Sequence, residues 1–151
     1  MQLSKHFTLE EMTRSVVASR KGIDNTPGSG EIKNLGNLCY EVLEPVRAHF
    51  DKAISISSGF RSEALCVAIG SKKTSQHALG CAADFEINGV ANIKVAYWLI
   101  NNVDFFNAFS STINPTMTRQ DGSMCLMMPK GLTENKFLPL MVKSILKIYP
   151  I

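Results

Sequence analysis

The chain has little of what marks the special protein classes. It has four cysteines, Cys39, Cys66, Cys81 and Cys125, and no two of them form a Cys-x-x-Cys pair. That excludes a disulfide-dense mini-protein and leaves unpaired thiols, as in a reducing compartment, as the default reading. No run reaches about 18 uninterrupted apolar residues, so no transmembrane helix is expected. The opening MQLSKHFTLEEM has no apolar stretch behind a basic start, so no secretory signal peptide is expected and synthesis in the cytoplasm is. Charge is sparse: 19% of residues, sixteen basic against thirteen acidic, for a net +3. The basic residues are scattered, which argues against a nucleic-acid partner. What is present is ordinary: 151 residues, 45% of them apolar. That composition suits one soluble domain, 1–151, with a sizeable core, and excludes a disordered or collagen-like chain.

Local patterns predict an alternation of helices and short strands. Thr8 and Glu11 form a capping-box spacing that starts a short helix, with Leu9, Met12, Val16 and Val17 as its apolar side. Lys21 to Gly30 is rich in Gly, Asn, Asp and Pro and reads as a loop. From about Glu31 to Phe50, Ile32, Leu35, Leu38, Val42, Leu43 and Val46 recur at three- and four-residue steps, a core-facing helical stripe. Pro45 lies inside it and should kink or end the helix. Ala53 to Ser57 alternates as a strand, SGFRS is a turn, and EALCVAI is a helix closed by Gly70. SKKTSQHALG reads as a polar loop, Cys81 to Ile87 as a buried strand, and Ala91 to Asn102 as a helix. After about Asp104 the periodicity fails. Five of the seven methionines crowd into this tail, and only FLPLMVKSILKIY could be strand or helix, interrupted by Pro139.

Chemistry concentrates in SQHALGCAAD. His77 and Asp84 stand seven apart around Gly80 and small residues, a spacing that lets a loop imidazole and a strand carboxylate converge. A hydrolytic zinc site needs three protein ligands and one open position. Alone, the pair is weak evidence of a metal and is more often a surface histidine and a hydrogen-bonded aspartate. SSGFRS, residues 57–62, followed by SQHALGCAAD matches the Ser-Gly-aromatic-Arg and Ser-x-His-x-x-Gly-x-Ala-x-Asp signatures. On these motifs the chain resembles the zinc D-Ala-D-Ala carboxypeptidases of the hedgehog/DD-peptidase superfamily, in the phage-endolysin-like branch. HFTLEEM, GIDNTP and VLEPVR resemble it too, and the likeness covers about residues 3–104.

The resemblance implies an α+β fold, N-terminal helices packed on a small antiparallel sheet. It makes His77 and Asp84 zinc ligands and Arg61 the catalytic cation that pairs with a substrate carboxylate, as a planar, permanently charged fork can. Ser75 and Gln76 would help shape the substrate site. Read without the family, Arg61 is a surface salt-bridge partner and Ser75 a turn cap. The family's third ligand is a histidine in a C-terminal Trp-[Ile/Val]-His-Val-Ser strand, with an acidic base upstream, and this tail, 105–151, has neither. The other histidines, His6 and His49, precede the motif. Cys125 is a thiolate donor by chemistry and a small core residue by habit.

Codon arithmetic accounts for the gap. Across Asp121 to Leu126 a shifted frame can read Trp-Ile-His-Val-Ser, its valine fixed by the codons of Met124 and Cys125. The same shift can turn TENKFLPLMV into Arg-Lys-Gln-Val-Leu-Thr-Ala-Tyr-Gly, and NAFSST into Gln-Cys-Ile-Leu-Glu-Tyr, both family-like. The sequence therefore reads as a peptidase whose C-terminal third was replaced by a frameshift near Phe105 or Phe106. The function implied is zinc-dependent hydrolysis of peptidoglycan peptide bonds, of carboxypeptidase or endolysin type, impaired here by the missing ligand. The alternative is a non-catalytic module binding peptidoglycan stem peptides. The expected partner is a stem peptide, with no nucleic acid and no membrane. A monomer is expected, acting at the cell wall or in the periplasm.

Overall fold

A computed structural model describes residues 1–102 and the backbone of residues 124–127. The tail segment FLPLMVKSILKIY and the predicted frameshift point lie outside the described residues. Helix α1 spans Leu9–Thr13 and α2 spans Val16–Lys21. They are followed by α3, Ser29–Leu38, and α4, Glu44–Phe50. Strand β1 is Ile54–Ser58, α5 is Glu63–Ala68, β2 is Ala82–Ile87, α6 is Asn92–Asn102 and β3 is Met124–Met127. The three strands form one antiparallel sheet in the order β1-β2-β3. With helices packed on a small antiparallel sheet, the α+β expectation holds.

The helix expected to run on from Thr8 is two helices. Arg14 is extended at φ −62° and ψ 128°, and the Ser15 hydroxyl accepts from the Ala18 N–H, so a second N-cap restarts the chain. As a result Val16 and Val17 are exposed rather than part of the apolar side. The stripe from Leu35 to Val46 is buried as the spacing predicts, and the α-helical pattern of α3 stops at Leu38, ahead of Pro45, with α4 starting at Glu44. Between them the ladder widens to a π-helical turn over Cys39–Leu43, in which the Glu44 N–H reaches the Cys39 carbonyl. Pro45 has no N–H to give, and the wider turn ahead of it absorbs the change. Burial in this stripe pushes the Cys39 thiol up to about 12.

The core lies between this helical layer and the inner face of the sheet, where Phe7, Met12, Leu35, Leu38 and Val42 meet Ile54, Ile56, Phe85 and Ile87. One polar latch ties the N-terminus to it: Glu44 accepts from the Ser4 hydroxyl, the His6 amide and His6 Nδ1, the last at 2.6 Å. Burial pushes the Glu44 carboxyl up, and the bonds from His6 and Ser4 outweigh that, holding it below its ordinary value of 4.5. The unfolded chain therefore takes up this proton first. The latch's contribution is complete above the ordinary glutamate range and fades as pH falls through the lower folded value. Wild type should thus exceed Glu44→Gln in stability at about pH 6, with the margin shrinking toward about pH 3, as denaturant melts across that range would show.

Two glycines let the chain pass where a side chain could not. A Cβ at Gly59 would overlap the carbonyl of Met12, which also accepts from the Phe60 N–H at 2.7 Å. Gly80 sits at φ +68°, and a Cβ there would come 2.5 Å from the Glu31 carbonyl oxygen. Gly59→Ala must push α1 off the turn after β1, an overpacking cost of about 1–3 kcal/mol readable in urea unfolding.

Candidate metal site

The segment after β1 and the segment before β2 meet at one buried point. β1 carries a bulge between Ile56 and Ser58, so that Ser58 stands opposite Asp84 in the β1–β2 register. Without the extra residue, the pleat would turn Ser58 to the other face. Beyond it the chain turns through Gly59, Phe60 and Arg61 into α5, whose N-cap is Ser62. This turn is pinned from behind by Asn25, whose side chain donates to the Thr13 and Phe60 carbonyls and accepts from the Ser62 N–H at 2.7 Å. On the other side, SQHALG is not a plain loop. Gln76–Leu79 forms a 3-10 turn capped by the Ser75 hydroxyl, which accepts from the His77 N–H at 3.3 Å. Gly80 closes it in the left-handed region, and Asn34 donates to the Leu79 carbonyl at 2.8 Å.

These two segments place His77 and Asp84 side by side, with 2% and 1% exposure. His77 Nδ1 lies 2.7 Å from the Gly59 carbonyl oxygen. A carbonyl only accepts, so Nδ1 carries the proton, and in the neutral ring the lone pair is on Nε2. Nε2 is 3.5 Å from Asp84 Oδ1. Two ligand atoms each about 2.0–2.1 Å from a tetrahedral zinc stand about 3.3–3.4 Å apart. The spacing, the tautomer and the backbone carbonyl behind the imidazole all suit a zinc-binding pair. On donor chemistry and geometry, His77 and Asp84 fit two ligands of such a centre.

Arg61 is the third buried polar residue at this point, 8% exposed. Its Nη2 donates to Asp84 Oδ2 at 2.6 Å and its Nε to the Ser58 hydroxyl at 2.8 Å. The salt bridge that the bare sequence allows is therefore buried, and its partner is the carboxylate of the candidate pair. Ser75 is a turn cap, as its residue type alone suggests. Gln76 Oε1 is buried and meets no hydrogen-bond partner among the described residues.

His6 and His49 are occupied elsewhere, His6 on Glu44 and His49 stacked on the Trp98 ring at 4.8 Å. Among the described residues no group of three or more His, Cys, Asp or Glu side chains is placed to hold a metal. In backbone register, Cys125 of β3 stands opposite Asp84. Sequence reasoning missed the parts played by Ser58, Gly59 and Asn25. The SSGFRS and GIDNTP motifs contain all three residues, but their roles are set by contacts between distant segments.

An α+β frame carrying such a buried His–Asp pair fits the class of metal-dependent hydrolases. Residues 5–112 match the family model described as Peptidase M15, and the chain belongs to that family of zinc-dependent peptidases. The match stops short of β3. A search of curated proteins finds no match.

Proposed function

We infer that this chain is a peptidase of the cell-wall-directed kind, built to act on peptidoglycan stem peptides and impaired in hydrolysis by the want of a third zinc ligand. The observation that supports this most is the His77–Asp84 pair, with its 3.5 Å spacing and its Nδ1 committed to Gly59. His77 Nε2 and Asp84 Oδ1 would hold zinc, which when bound polarises a peptide carbonyl and activates water at neutral pH. The chain's own residues do the rest. Gly59 fixes the imidazole tautomer, and Arg61, with Nε and Nη2 turned inward, offers Nη1 to a peptide carboxylate. Ser75 holds the turn that presents His77, and Gln76 Oε1 is an acceptor at the same turn. The polypeptide would work as a monomer at the cell wall or in the periplasm.

A second reading, a module that grips stem peptides without cutting them, is favoured by the two-donor site among the described residues. Calorimetry with a stem peptide ending in D-Ala-D-Ala, run beside an assay for released D-alanine, separates the two. The impaired-peptidase reading expects binding in the millimolar range, lost in Arg61→Ala, with release slow but dependent on added zinc. Release that is nil while binding survives chelator favours the module. No heat at millimolar peptide contradicts both.

A further inference from the structure

The SSGFRS turn makes contacts that the reading above does not use. An aspartate's terminal torsion is broad and two-fold, so nothing in Asp84 itself decides which oxygen faces His77. Here the choice is made from outside. Ser58, brought opposite Asp84 by the β1 bulge, accepts from Arg61 Nε at 2.8 Å. That bond sets the plane of the guanidinium, and Nη2 then takes Asp84 Oδ2 at 2.6 Å. The other oxygen, Oδ1, is left as the one 3.5 Å from His77 Nε2. The same turn supplies the Gly59 carbonyl that holds the imidazole. One four-residue stretch, Ser58 to Arg61, thus orients both members of the pair.

We propose that Arg61, seated on Ser58, is a positioning residue for the metal carboxylate: it occupies Oδ2 of Asp84 so that only Oδ1 is presented beside His77 Nε2. The inference rests on the reading of His77 and Asp84 as metal ligands. Two effects of the guanidinium oppose one another, which makes the sign of a measurement informative. Its charge repels a dication, so if charge alone mattered, removing it would tighten metal binding. Its fork fixes one carboxylate oxygen, so if orientation matters more, removing it loosens binding. Outer hydrogen-bond partners of metal ligands are typically worth about 10–100-fold in metal affinity.

The experiment is a cobalt(II) titration of the purified full-length chain and of Ser58→Ala, Arg61→Lys and Arg61→Gln. It is read by the visible absorption of bound cobalt, with a thermal melt of each metal-free protein. Expected are a weak but saturable spectrum for wild type, about 10–100-fold weaker binding in all three variants, and an altered band shape. Arg61→Lys, which keeps the charge and loses the fork, should not rescue. Variants that bind like wild type with the same spectrum would overturn the inference and leave the metal pair standing. Tighter binding by Arg61→Gln would overturn it as well, by showing the guanidinium to be a competing charge. A wild-type chain that takes up no cobalt would overturn the metal reading and the inference together. Should the Arg61 variants fail to melt cooperatively, Ser58→Ala decides the matter, since it keeps both buried charges and removes only the bond that sets the guanidinium plane.

Discussion

A chain re-encoded so that the codons after Phe106 are read in the shifted frame is expected to keep about one zinc per molecule through dialysis, while the chain as given keeps far less. Metal binding is strongly coupled to a complete ligand set, so adding a third donor to two pre-oriented ones should raise affinity by orders of magnitude. Two independent lines meet in this expectation. The codons of Ser123 and Met124 can read histidine in the shifted frame, within Trp-Ile-His-Val-Ser. The strand that begins at Met124 is the one paired with β2, where Phe85 stands opposite Met124 and Asp84 opposite Cys125. A histidine written there would enter at the start of the strand that pairs with β2, the strand carrying Asp84. Elemental analysis of both dialysed proteins checks this: equal zinc content would contradict it, whether both chains hold about one zinc or neither does.

Asp84→Ala is expected to be the most damaging single substitution at the site, costing about 3–5 kcal/mol of stability. The cause is not the lost carboxylate but what it leaves behind. Arg61 is 8% exposed, and with Asp84 gone its charge has no anion at the position that Oδ2 held. Replacing both partners by apolar residues, as in Arg61→Met with Asp84→Leu, should recover most of the loss, since a buried pair contributes little net stability. The coupling in a double-mutant cycle is therefore large. Urea denaturation of wild type, Arg61→Met, Asp84→Leu and the double variant measures it; additive effects would show that the ion pair carries no such weight.

The parts of the fold that were legible in the sequence are those specified locally. The Thr8 cap, the buried stripe from Leu35 to Val46 and the strand from Ala82 to Ile87 each follow from spacing and residue type. The restart at Ser15 was not foreseen, because apolar Val16 and Val17 continue the preceding pattern by eye while their side chains face solvent. The π-helical turn before Pro45 was missed because a proline constrains the ladder without dictating whether the chain bends or widens. At the site, His77 and Asp84 were legible as a spaced motif. The residues that hold them were not: Gly59 reaches His77 across 18 positions and Asn25 reaches Ser62 across 37, while Ser58 acts on Asp84 through Arg61, and only the fold brings those together.

The central claim is that His77 and Asp84 form the zinc-binding part of this molecule. It is tested most directly by following the His77 ring nitrogens by NMR while zinc is added to the intact chain. On zinc addition Nε2 is expected to shift while Nδ1 stays protonated on the Gly59 carbonyl, and the Nε2 shift is expected to vanish in Asp84→Asn. A His77 ring that is indifferent to zinc, or that loses its Nδ1 proton instead, would contradict the claim.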